Sequence, residues 1–188
     1  MCGPSHIVVA CCVARSILFA SLVCVVLLCN TPGVYLLVLE NNQYPFVSFK
    51  KAPQVPHVTV VYSDKKDDAS LFDTVVKGMD YPKYVRVNRV AESVFQKDDG
   101  TYVYDVLLML DDASHQHLDR VRKKDLPPHE AHWITRAPHI TCARTYDKEE
   151  HANAFASIQT DVEKLSNGID FDVVGVCTSL NNASGKVK

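Results

Sequence analysis

Pro56-His57-Val58-Thr59-Val60 recurs 82 positions later as Pro138-His139-Ile140-Thr141-Cys142. Each copy follows a loop, opens with proline, carries a β-branched residue between His and Thr, and starts a run of strand character. On a strand, side chains at i and i+2 share a face, so His57 projects with Thr59 and His139 with Thr141. One His-x-Thr alone reads as an ordinary core or surface histidine; a matched pair in matched context reads as a site. If the two strands lie side by side, two imidazoles and two hydroxyls converge on one concave face.

Working outward, Val34 to Glu40 is a short apolar run between Pro32-Gly33 and Asn41-Asn42, and reads as a buried strand. His57 to Ser63 is a second strand. From Asp67 to Met79 the apolar residues recur at helical spacing, with Gly78 near the end. Tyr84 to Gln96 and Thr101 to Leu110 are strand-like runs around Lys97-Asp98-Asp99-Gly100, whose Asp-Gly pair predicts a hairpin. Asp112 to Leu126 is helical and stops at Pro127-Pro128. A strand over His139 to Ala143, a helix over Asp147 to Leu165 and a strand over Asp170 to Leu180 complete the chain. Strands and helices alternate with a hairpin among them, which predicts an α+β domain over residues 33–188.

The 188 residues suit one domain, with 47% hydrophobic and 22% charged residues. A net charge of −2 leaves no bulk positive charge for a long nucleic-acid duplex, so an anionic ligand must be small and locally bound. Residues 1–32 stand apart: they hold no Asp, Glu or Lys and a single Arg15, and five of the seven cysteines lie there. From Ile7 to Cys29 only Arg15, Ser16 and Ser21 are not apolar. Two readings of that segment stand with equal weight. It is a signal-like or anchoring segment, giving membrane association through residues 7–29 and a secreted or membrane-anchored protein, or it is an extension without function. The remaining Cys142 and Cys177 are too few for a disulfide framework, as expected of a cytoplasmic domain.

The paired motifs suit phosphodiester chemistry. A neutral imidazole removes a proton from an attacking hydroxyl while a protonated one donates to the leaving oxygen, and both states are open to histidine at neutral pH. The threonine hydroxyls hydrogen-bond the non-bridging phosphate oxygens as charge develops. The chemistry needs no metal or other cofactor.

These two motifs, and the strand-helix-hairpin-helix-strand order around them, resemble the 2H phosphoesterases, named for two His-x-[Thr/Ser] motifs on the halves of a pseudo-symmetric fold. The resemblance implies a two-lobed (LigT-like) α+β fold with antiparallel sheets and flanking helices, and a catalytic set of His57, Thr59, His139 and Thr141. Within that superfamily, PHVTVVYSDKKD (56–67) and LDRVRKKDLPPHEAHWITRAPHITCA (118–143) look most similar to the phage anti-CBASS phosphodiesterases. That likeness implies hydrolysis of 3′-5′ or 2′-5′ bonds in cyclic di- or trinucleotide immune messengers such as cGAMP, by a viral immune-evasion enzyme in the host cytoplasm. Such sites add aromatic and basic residues, for which Trp133, Tyr44 and Lys50 are the substrate-binding candidates, with Tyr62, Lys51, Arg144 and Tyr146 as further ones. Trp133 has core packing as an equal reading. Strict alternation turns Tyr62 and Arg144, each five residues after its motif histidine, away from the site unless a bulge intervenes.

Other readings keep the scaffold and change the ligand: 2′-5′ oligoadenylate, an RNA 2′,3′-cyclic phosphate end, or a nucleotide- or RNA-binding module without catalysis. His115, His117, His129 and His132 fall close together, but no metal-binding pattern accompanies them, and a solvated surface is the better explanation. The basic residues Arg120, Arg122, Lys123 and Lys124 alternate with acids and read as the same kind of surface.

Overall fold

The computed structural model describes residues 31–38, 55–126 and 132–180. In chain order they form β1 (Gly33–Val38), β2 (His57–Ser63), a 3-10 turn (Lys66–Asp68), α1 (Ala69–Val76), β3 (Tyr84–Gln96) and β4 (Tyr102–Leu110). Then come α2 (Asp112–Asp125), β5 (Trp133–Ile134), β6 (His139–Thr145), α3 (Lys148–Glu163) and β7 (Ile169–Cys177). Residues 1–30, with the apolar segment, lie outside the described part, as do Glu40, Pro127 and Pro128. Among the described residues no helix is long and apolar enough to cross a membrane.

Local chemistry explains the boundaries. At the β3–β4 turn Gly100 takes φ +84°, and its N–H donates to the Lys97 carbonyl at 2.9 Å while Lys97 N–H donates to Thr101 O at 2.9 Å. The Asp111 carboxylate accepts from Ser114 N–H at 2.8 Å to cap α2, and Asp147 accepts from Glu150 N–H at 2.7 Å to cap α3. Arg122, Lys123 and Lys124 occupy the last turn of α2, where cations favour the carbonyl end of the dipole. The β5 ladder is only two residues long, below what periodicity can detect.

All strand pairs are antiparallel, in the order β1-β7-β3-β4-β6-β2-β5, and β1 also pairs with β2. Six strands therefore close on themselves. Each motif strand belongs to a three-stranded lobe: β7-β1-β2 with α1 packed on β1 and β7, and β3-β4-β6 with α3 packed across it. This is the α+β, pseudo-symmetric arrangement the sequence predicts. The helices cover a core in which Leu36, Val58, Val60, Val61, Phe72, Leu108, Leu118, Ile140, Ile169 and Phe171 are fully buried. Gly33 is required by close approach, since a Cβ there would sit 2.6 Å from Val61 O and 2.8 Å from the Tyr35 ring. The lobes meet at β2 and β6 through one residue pair, Val58 opposite Ile140.

Candidate active site

Val58 and Ile140 are the middle residues of the two His-x-Thr motifs, and both point into the core at zero exposure. Alternation then sends their neighbours to the opposite face: His57, Thr59, His139 and Thr141 are all half-buried and all line one cavity of about 160 Å³. One step along the register in either direction brings His57 across from Thr141 and Thr59 across from His139. Thr31, Tyr35, Val55, Tyr62, Arg136, Arg144 and Leu180 complete the lining.

The two strands repeat more than the motif. His57 Nδ1 lies 2.8 Å from the Val55 carbonyl, and His139 Nδ1 lies 2.7 Å from the Ala137 carbonyl, each two residues back across a proline. A carbonyl only accepts, so in both rings Nδ1 carries a proton and Nε2 is the nitrogen left to meet a ligand. Among the described residues no protein group engages either Nε2 or the hydroxyls of Thr59 and Thr141.

Three residues after each histidine the strand carries one extra residue. On β2, Thr59 pairs with Tyr35 but Val61 pairs with Val34, leaving Val60 extra. On β6, Thr141 pairs with Leu107 but Ala143 pairs with Val106, leaving Cys142 extra. Each bulge reverses the alternation, so Tyr62 and Arg144 return to the cavity face. This corrects the expectation from strict alternation.

Each bulge is anchored from outside its own strand. The Arg122 guanidinium, 8% exposed, donates from Nε to Val60 O at 2.9 Å and from Nη2 to Arg136 O at 3.3 Å, tying the β2 bulge to the segment that leads into His139. Arg122 is thus a buried positioning residue and not part of a solvated basic surface. The Cys142 thiol, pushed up to about 12 by burial, stays protonated and donates to Val106 O at 3.3 Å. Past the bulges, Ser63 and Thr145 hydroxyls accept from the N–H two residues on, at 3.0 Å from Lys65 and 3.1 Å from Asp147.

The surroundings of the two imidazoles differ. His57 sits against an apolar wall: the Tyr35 ring meets it edge-on at 5.5 Å, and Tyr35, Leu37, Cys177 and Leu180 form a buried cluster with Val55 and Tyr62 packed on it. Burial lowers the His57 pKa to about 4; the hydrogen bond to Val55 opposes this, while nearby His139 and Arg144 add to it. Arg144 stands on β6 beyond Thr141, toward His57, on which its charge acts. Arg144 reaches Asp105 with two bonds of 2.6 Å, Asp105 being 5% exposed, and its guanidinium lies 5.5 Å from the Phe95 ring centre. Arg136 lies 5.6 Å from the Tyr62 ring centre, extending the cationic rim.

Of the substrate-binding candidates, Tyr44, Lys50 and Lys51 lie outside the described residues. Trp133 does not line the cavity; it is 7% exposed, its ring is 4.8 Å from Phe72, and its indole N–H donates to Asp68 at 2.7 Å. The structure thus takes the core-packing reading of that residue. His132 also meets Asp68, at 2.8 Å, and the Ser63 hydroxyl with these partners holds the Asp68 carboxyl below its usual range. Tyr35 and Arg136 were not singled out by sequence reasoning.

No protein-family profile and no curated protein sequence matches the chain. Among solved structures it is similar to Kluyveromyces marxianus Usb1, at 9% identity and TM-score 0.47, covering 82% of this chain and 99% of that one. The same Usb1 with uridine monophosphate gives 9% identity and TM-score 0.45, over 80% and 98% of the two chains.

Proposed function

We propose that the chain is a metal-independent phosphodiesterase of the 2H phosphoesterase type, acting on short nucleotides. The observation that carries this reading is the duplicated device at the cavity: two imidazoles, each tied back at Nδ1, beside two hydroxyls that no protein group among the described residues engages.

His57 fits the base. Its proton is disfavoured by burial and by the charges around it, so at neutral pH its Nε2 accepts. It takes the proton of the ribose hydroxyl beside the scissile phosphate, whose oxygen then bonds to phosphorus. His139, protonated at Nε2, gives its proton to the leaving oxygen as the phosphorus–oxygen bond breaks. One proton enters the pair and one leaves, and the products are a cyclic phosphate and a free hydroxyl. Thr59 and Thr141 donate to the non-bridging oxygens, and Arg144 and Arg136 supply positive charge at the rim.

The cavity of about 160 Å³ is open to solvent, so a nucleotide chain can extend out of it on either side of the scissile phosphate. Cyclic di- and trinucleotides are the substrates that the sequence resemblance favours, with 2′-5′ oligoadenylate as another; at a 2′,3′-cyclic phosphate end, which has no free hydroxyl beside the phosphate, water takes the place of the ribose hydroxyl and the product is a phosphomonoester. The test is turnover by EDTA-treated protein across all of these. Cleavage that survives EDTA and is lost in His57→Ala supports the reading; binding without cleavage of any of them moves the chain to a binding module.

A further inference from the structure

The β3–β4 hairpin runs past the cavity and carries aromatic surface on the cavity face. Phe95 pairs with Val103, and Arg144 pairs with Asp105 one alternation further along β4. Phe95, Val103, Asp105 and Arg144 therefore share the face of His139 and Thr141, and just past the ends of β3 and β6 Lys97 and Tyr146 meet each other. Val103 is only 1% exposed, whereas Phe95 is 39% and Tyr146 46% exposed. The rings cover the strand and present themselves to solvent.

Cations accompany both rings. Arg144 lies 5.5 Å from the Phe95 centroid; Lys97 Nζ lies 4.5 Å over the Tyr146 ring and donates to its hydroxyl at 3.2 Å. The support is stiff: besides the two backbone bonds of the turn, Gln96 Nε2 donates to Gly100 O at 2.8 Å and Asp99 accepts from Thr101 N–H at 2.9 Å. Two exposed aromatic rings with cations against them, pre-organised and joined to the cavity lining through Arg144, have the chemistry of a single-strand stacking platform.

We propose that Phe95, Tyr146 and Lys97 form an outboard subsite that stacks a base, and binds the phosphate, of a nucleotide beyond the scissile bond, so that among linear single strands the longer are favoured. The subsite rests on the phosphodiesterase reading only for its link to turnover. Binding to it is measurable without turnover.

Two measurements on the full chain test it. The first compares kcat/KM for a di- and a tetraribonucleotide in wild type, Phe95→Ala, Tyr146→Ala and Lys97→Glu. Wild type prefers the longer strand by about 10-fold or more, and each variant cuts that ratio at least 5-fold. The second is fluorescence anisotropy of a labelled hexaribonucleotide at low salt, where each variant weakens binding at least 5-fold and Lys97→Glu also flattens the salt dependence. Wild-type binding in all three variants overturns the subsite, whatever the turnover. If wild type cleaves neither linear strand, the phosphodiesterase reading is judged on the cyclic substrates and the anisotropy result decides the subsite. Lys97→Glu leaves both rings in place, so a packing defect in the aromatic variants does not settle the outcome.

Discussion

Strands β2 and β6 present the same side chains on the same backbone, and the side chains that their two lobes add to the cavity differ in kind. Both tie a histidine Nδ1 to the carbonyl two residues back, both bulge three residues after the histidine, and both end on a hydroxyl residue closing a tight turn. Yet the lobe of His57 adds Tyr35, Val55 and Leu180 to the lining, and the lobe of His139 adds Arg144, which is paired with Asp105. The backbone repeat sets position, and the added side chains set charge. A symmetric site holding two identical imidazoles has no reason to divide the roles of base and acid; an apolar wall behind one of them supplies the reason.

The most direct way to break the comparison is to remove one imidazole at a time. His57→Ala and His139→Ala are each expected to lower kcat by about 10² to 10⁴, with the fold kept, since both side chains face a solvent-lined cavity. The variants differ in their pH profiles: wild-type kcat/KM loses activity on the acid side with a midpoint near 4, where His57 takes up a proton, and His57→Ala lacks that limb. An acid limb unchanged in His57→Ala would remove the base assignment.

The same asymmetry reaches stability. With the folded pKa of His57 near 4 and the unfolded value at 6.5, the unfolded chain binds more protons between those pH values. The unfolding free energy is therefore fully present above pH 6.5, declines as pH falls, and has lost up to about 3 kcal/mol by pH 4. Urea titrations at pH 7 and pH 4.5 measure it, and His57→Gln should flatten the difference by a comparable amount. His139→Gln serves as the control in the same titrations.

Much of this site was legible in the sequence and part of it was not. The motifs, the Asp-Gly turn and most element boundaries follow from local signals that the structure keeps. The bulges do not: an extra residue at Val60 or Cys142 leaves no mark in composition, because both are apolar residues in apolar strands. One undetected residue was enough to turn Tyr62 and Arg144 to the wrong face. Arg122 was hidden by its charged neighbours, although Leu118, Val121, Arg122 and Leu126 recur at helical spacing and placed it on the buried stripe of α2. The β1–β2 pairing that closes the ring is long-range, and no local pattern encodes it.

The hydroxyls sharpen the comparison at a smaller scale. Thr59→Val and Thr141→Val keep shape and β-propensity while removing one donor to the phosphate, so each is expected to lower kcat by about 10- to 10²-fold with little change in stability. Near-equal losses would show that the two halves contribute alike to charge stabilisation, leaving the histidines as the place where they diverge. A loss confined to one threonine would move the phosphate off the pseudo-symmetry axis.

The smallest expected effect bears most directly on cause. If the apolar wall is what lowers His57, making that wall polar should raise its pKa without touching the imidazole. Leu180 lines the cavity and is 5% exposed, so Leu180→Gln introduces an amide dipole and admits water beside His57. At pH 7 His57 remains neutral in either protein, and turnover should change less than about 2-fold. At pH 4.5 to 5 the variant should carry more protonated His57 and lose several-fold more activity than wild type, the acid limb shifting upward by about one pH unit. An acid limb fixed near 4 in Leu180→Gln would mean that the repulsion from His139 and Arg144, and not burial, separates the two imidazoles; Arg144→Gln would then produce the shift that Leu180→Gln did not.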